Sequence, residues 1–128
     1  MQAFRADLKE LSKENQDFRR VVFTGEHAQL VLMALARDEE IGEEVHTVDQ
    51  ILYAVSGEGE TVIDGRAKSF DKGDVAAVPA GARHNVRNTG KEPLKLFTVY
   101  APAQHAADTV HLTKADALKD EADIRAAG

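Results

Sequence analysis

From about Arg19 to Tyr100 the chain is broken repeatedly by residues that turn a backbone. Gly57-Glu58-Gly59, Asp64-Gly65, Lys72-Gly73, Pro79-Ala80-Gly81 and Asn88-Thr89-Gly90 follow one another at short intervals. Such spacing leaves room for strands but not for the helices of roughly 10–15 residues that alternate with strands in α/β folds. The segments between the turns read as β-strands: Arg20–Thr24, Gln29–Leu35, Gln50–Ser56, Glu60–Ile63, Arg66–Phe70, Asp74–Val78, His84–Arg87 and Leu94–Tyr100. A further short strand is expected around Glu43–His46. Asp64-Gly65 is the clearest hairpin signal, because this pair readily takes the positive φ values of a type I′ turn. Many short strands so punctuated predict an all-β sandwich or barrel.

The flanks have a different texture. Phe4, Leu8 and Leu11 recur at helical spacing among charged residues, which predicts a short amphipathic helix within residues 1–18, set to cover a sheet edge or a subunit contact. Beyond Pro102, residues 103–128 are polar and alanine-rich, and Thr113 with Asp116 suits the start of a helix through Ala115–Arg125. A chain of 128 residues is expected to form one domain, its barrel at about residues 19–102.

Composition removes several classes of function. No cysteine is present, so thiolate nucleophiles and thiolate metal sites are excluded, and any metal must sit on nitrogen and oxygen. A formal net charge of -6 argues against nucleic acid, which calls for a basic surface, and against anionic membranes. No apolar run is long enough for a signal peptide or a membrane span, so the cytoplasm is the expected compartment. An exposed sheet edge and the N-terminal helix lead us to expect a homodimer.

Two stretches carry the chemistry: Gly42 to Gly57, and Gly73 to Asn88. Side chains alternate along a strand, so Glu44 and His46 should point the same way. If a tight turn at Thr47–Asp49 leads into the next strand, Gln50 returns to that side, with Asp49 its substitute should the register slip by one. His84 follows the Pro79-Ala80-Gly81 turn at the start of another strand. Two imidazoles, one carboxylate and one amide oxygen can then converge, and a divalent cation would satisfy polar atoms that burial otherwise strands.

The second stretch resembles the second cupin motif in full, with Gly73, Pro79, Gly81, His84 and Asn88 at the family's spacing. The first resembles the first cupin motif with two departures. Glu44 stands where the family usually has its first histidine, and Gln50 replaces the usual glutamate, while His46 and the closing Gly57 are kept. The resemblance spans about Gln29 to Pro102 and implies a double-stranded β-helix, a jelly-roll barrel, with short terminal helices. It also implies one divalent metal ion per chain on Glu44, His46, Gln50 and His84. The ligand set keeps one anion while exchanging a nitrogen for an oxygen, which favours Mn²⁺, Fe²⁺ or Ni²⁺, with Zn²⁺ possible. Gly73, Pro79, Gly81 and Asn88 read as turn-builders.

The expected function is chemistry on a small molecule, of isomerase, lyase or dioxygenase type, with the metal as Lewis acid or oxygen-binding centre. The alternative is a non-catalytic module that uses the metal to bind or sense a small ligand, and a third reading is a metal-free jelly roll. Arg83 and His27 are expected at the surface, and His105 and His111 either at the barrel mouth or in solvent. Leu30, Leu32, Leu52, Tyr53, Phe97 and Tyr100 should fill the core or wall a pocket, and alternation alone does not say which.

Overall fold

Strand alternation builds the inner wall of the molecule. Between Leu94 and Ala101, the residues Leu94, Leu96, Thr98 and Tyr100 are buried, while those between them are more exposed. Facing strands repeat the pattern with Gln50, Leu52 and Ala54, and with Gln29, Val31, Met33 and Leu35. These inward rows meet Phe18, Phe70, Val78 and Val86 in one hydrophobic core.

The computed structural model describes residues 2–127. Helix α1 (Leu8–Glu14) precedes β1 (Arg19–Thr24), β2 (Gln29–Leu35), β3 (Glu44–Val45), β4 (Asp49–Ser56) and β5 (Gly59–Ile63). Then come β6 (Arg66–Ser69), β7 (Val75–Val78), β8 (Arg83–Asn88), β9 (Leu94–Ala101), β10 (Val110–His111) and helix α2 (Lys114–Ala127). One sheet has the order β10-β1-β2-β9-β4-β7 and the other β3-β8-β5-β6. All strand pairs are antiparallel, and neighbours such as β2 with β9 and β5 with β8 are far apart in sequence. These long returns wrap two sheets around a shared interior, the jelly-roll arrangement expected from the sequence.

Asp64 (φ 49°) and Gly65 (φ 81°) close the β5–β6 hairpin in the left-handed region, as their chemistry predicts. The Asp64 carboxylate also accepts from the Arg83 N–H at 3.1 Å, tying this turn to the start of β8.

The flanks differ from expectation in detail. Only Leu8–Glu14 of the first 18 residues is helical, capped by Asp7, whose carboxylate accepts from the Glu10 N–H at 3.1 Å. Phe4 precedes that helix and packs near Phe23, with ring centroids 6.5 Å apart. α1 lies over β4 and β9, and the Lys95 ammonium donates to the Asn15 carbonyl. The tail is more than a polar helix, because β10 adds an edge strand to β1, pairing His111 with Arg19. Thr113 and Asp116 then cap α2 reciprocally at 3.1 and 3.3 Å. Ala117 buries against the core, which anchors α2 to the barrel. Among the described residues, no helix is long and apolar enough to cross a membrane.

Candidate metal centre

The short strand β3 exists through its pairing with β8, in which Glu44 lies directly across from His84 and Val45 across from Arg83. Alternation turns Val45 outward and keeps His46, 8% exposed, on the Glu44 side. The Pro79–Gly81 turn that launches β8 is held by the main chain, since the Gly81 N–H donates to the His46 carbonyl at 2.8 Å. Gly81 itself sits at φ 88°, a conformation that glycine alone takes without strain. The two motif stretches are thereby joined at the atoms that matter.

Glu44, His46 and His84 each offer a ligand atom, and the three lie within 4.8 Å of one another. His46 Nε2 and Glu44 Oε1 are 3.6 Å apart, too long for a hydrogen bond and close enough for one cation to serve both. Burial pushes the Glu44 carboxyl up, but His46 beside it, with Arg19 and His84, outweighs this and holds it below the ordinary glutamate value. His84 Nδ1 lies 3.1 Å from the Ala82 carbonyl, a contact that places the proton on Nδ1 and leaves the Nε2 lone pair free.

Gln50, 3% exposed, donates through Nε2 to the Thr98 hydroxyl at 3.0 Å. Its amide oxygen is buried without a partner, as are His46 Nε2 and His84 Nε2. Leaving a buried polar atom unsatisfied costs about 1–3 kcal/mol. Two imidazole nitrogens and an amide oxygen left bare beside a carboxylate form a donor set that fits a divalent cation. Asp49 takes another job: it is exposed, and its carboxylate accepts from the Ala80 N–H at 2.9 Å. Arg83 is exposed, as expected, and reaches Glu43 at 3.4 Å. Asn88 proves to be a turn-builder whose amide donates to the carbonyls of Leu35, Ala36 and Glu92.

The structure settles the place of two residues that the sequence left open, Tyr100 and His105. Tyr100 is fully enclosed and stands edge-on to both His46 and His105, with centroids at 5.8 and 5.1 Å. Burial pushes its phenol well above the usual range, so it stays protonated. His105 is half-buried, and its Nε2 is a further buried atom without a partner. Burial, aided by the positive charge of Arg19, pushes its imidazole down to about 3. Gln29 fixes this loop, because its amide oxygen accepts from the N–H groups of Gln104 and His105 at 3.1 and 2.9 Å. Its amide nitrogen donates to the His105 carbonyl at 2.7 Å.

The sequence does not single out Arg19. It opens β1, is 2% exposed, and donates through Nη1 to His111 Nδ1 at 3.2 Å. An arginine has no lone pair to offer, so His111 must accept at Nδ1 and donate from Nε2 to Asp120 Oδ2, 2.9 Å away. His111 is accordingly buried and structural rather than solvent-exposed.

Leu32, Leu52 and Tyr100 are buried, whereas Tyr53 and Phe97 stack on the outer face at 5.2 Å. A groove of about 710 Å³ near β6 and β7 contains none of the four expected ligands. The chemistry is concentrated elsewhere, in the barrel.

Comparison with known proteins agrees with this architecture. A family model described as a cupin domain matches residues 31–100. The uncharacterised protein YrkC of Bacillus subtilis is 43% identical over 126 residues, covering 92% of this chain and 67% of that protein. The crystal structure of BH2720 from Bacillus halodurans superposes with a TM-score of 0.89 at 39% identity, covering 92% of this chain and 95% of the other. TT1209 from Thermus thermophilus follows at 0.69 and 33%, covering 77% and 96%. With the matched segment spanning both motif stretches and the barrel built around them, the chain belongs to the cupin family.

Proposed function

We propose that this cupin is a metal-dependent enzyme acting on a small organic molecule, with one divalent cation held by Glu44, His46 and His84 and by the Gln50 amide oxygen. One observation carries the reading: His46 Nε2, His84 Nε2 and Gln50 Oε1 are all buried without partners, in a barrel where Glu44 joins the two imidazoles. Two nitrogens and two oxygens favour Mn²⁺, Fe²⁺ or Ni²⁺ over a tetrahedral preference, with Zn²⁺ also accommodated. When bound, such a cation supplies Lewis-acid polarisation of a ligand oxygen, for isomerase or lyase chemistry, or an oxygen-binding centre for a dioxygenase.

The protein's own groups would fix the geometry. The Ala82 carbonyl orients the His84 ring, and Thr98 holds the Gln50 amide so that its oxygen is the end left free. His105, neutral at working pH, offers a lone pair to a ligand hydroxyl; with its value at about 3 it is a poor proton store and better suited to positioning.

Elemental analysis of purified protein should return close to one metal per chain. His84→Ala should abolish retention while the far-ultraviolet circular dichroism stays that of a folded β-protein. Full metal content in that variant would remove His84 from the set, and a metal-free wild type that takes up none of the four cations would end the proposal. Screening the Mn²⁺ and Fe²⁺ forms for oxygen uptake and for aldehyde or ketose turnover separates catalysis from binding. Silence in both screens would favour a ligand-binding module.

A further inference from the structure

A guanidinium in a barrel interior is costly unless an anion meets it. Arg19 is almost completely enclosed, and among the described residues no carboxylate lies within ion-pair distance of it. Its neighbours supply other things. His111 accepts from Nη1, and the Phe18 ring lies 5.3 Å from the guanidinium carbon. The Nε atom is buried with no partner. With Nη1 engaged, the Nε–Nη2 edge remains, two parallel N–H donors at the spacing that a carboxylate accepts. His111, itself bonded to Asp120, holds the guanidinium through Nη1.

Arg19 and Glu44, a member of the candidate metal centre, border the same cleft. Its volume is about 250 Å³, and Phe18, Ile41, Lys114 and Ala117 line it with them. Glu44 is therefore common to the cleft and to the cation-binding cluster. The charge of Arg19 is felt by Glu44, Tyr100 and His105 alike. Of the other charged groups on the cleft, Glu43 reaches Arg83, while Lys114 and Glu121 oppose each other in sign.

Loading the centre sharpens the demand for an anion. A dication and a guanidinium bring three positive charges against the single negative charge of Glu44, the one acidic member of the cluster. In a poorly hydrated interior that excess is relieved best by a negatively charged ligand. A cleft of this size is smaller than the roughly 300–1,000 Å³ usual for drug-sized ligands, which restricts the occupant to a compact molecule.

We propose that Arg19 is a substrate-binding residue that takes the carboxylate of a small organic acid through its Nε–Nη2 edge while the rest of that acid faces the Glu44–His46–His84 centre. This rests on the metal reading above and adds the class of ligand. A purely structural arginine, present only to pin β10 to β1, would have no reason to discriminate between ligands by charge.

The test uses that discrimination. Full-length protein is loaded with Co²⁺, and malonate (a dianion) or imidazole (neutral) is titrated in while the visible cobalt spectrum is followed. Arg19→Gln should weaken malonate at least about tenfold, the scale of one charge-assisted contact, and move imidazole less than about twofold. Should Arg19→Gln fail to hold cobalt, Arg19→Lys carries the test: it keeps the charge but loses the fork, and malonate should weaken at least about threefold relative to imidazole. Equal changes for both probes, or none for malonate, overturn the anion anchor while leaving the metal centre intact. A wild type that takes up no cobalt overturns the metal reading, and the anchor with it.

Discussion

His105 shows how a single side chain ties acidity to stability. Burial first, and the charge of Arg19 second, push its imidazole down to about 3 from an ordinary 6.5. Between those values the unfolded chain binds a proton that the folded one refuses. The contribution of neutral His105 is therefore complete above pH 6.5 and is lost as the pH falls toward 3. Metal-free protein should lose stability between pH 7.5 and pH 5 in urea titrations, and His105→Asn should flatten that loss. An identical decline in the variant would mean that the imidazole titrates as freely folded as unfolded. The same scale explains what was legible in the sequence. Glu44, His46, Gln50 and His84 could be picked out because they stand at positions that resemble the metal positions of the cupin motifs, with alternation putting Glu44 and His46 on one side. Arg19 could not, because Arg19-Arg20 offers two neighbouring cations and periodicity does not say which one faces inward until the register with β2 is known.

At the scale of elements, the turn before β8 sets the position of His84. Gly81 adopts φ 88°, where any side chain is strained regardless of the open space around it. Gly81→Ala should cost about 1 kcal/mol in denaturant unfolding. It should also weaken metal retention, because β8 would start from a displaced turn. Loss of stability with metal affinity untouched would show that His84 is positioned by strand pairing alone. The main strands were legible because each is bounded by turn residues, so their observed limits fall within a residue or two of expectation. β10 was not, since Val110-His111 is a two-residue strand with no internal period to detect. The N-terminal spacing of Phe4, Leu8 and Leu11 overstated a helix, because one turn fewer suffices once Phe4 packs against Phe23 instead.

Over the whole molecule, one outer surface is unusually apolar. Ile51 (47% exposed) and Val75 (64%) share a face of the six-stranded sheet with the stacked Tyr53 and Phe97, beside the free edge of β7. We propose this face as the contact of a homodimer, which would cover both the patch and the edge strand. Light scattering on the eluted protein should give twice the chain mass, and Val75→Glu with Ile51→Glu should halve it; a monomeric wild type would end this idea. The sequence could not assign Tyr53 and Phe97 to that surface, since a period of two is symmetric between a core face and an outer one.

The main-chain bond from Gly81 to the His46 carbonyl has a consequence for how the protein would meet its ion. Both histidine-bearing segments are laced together by peptide groups, so the barrel does not depend on the cation alone to hold them in register. Exchange of one cation for another would then proceed at a receptacle that keeps its register, and which metal resides there would be weighed by cellular supply and by the electrostatic balance of the cavity.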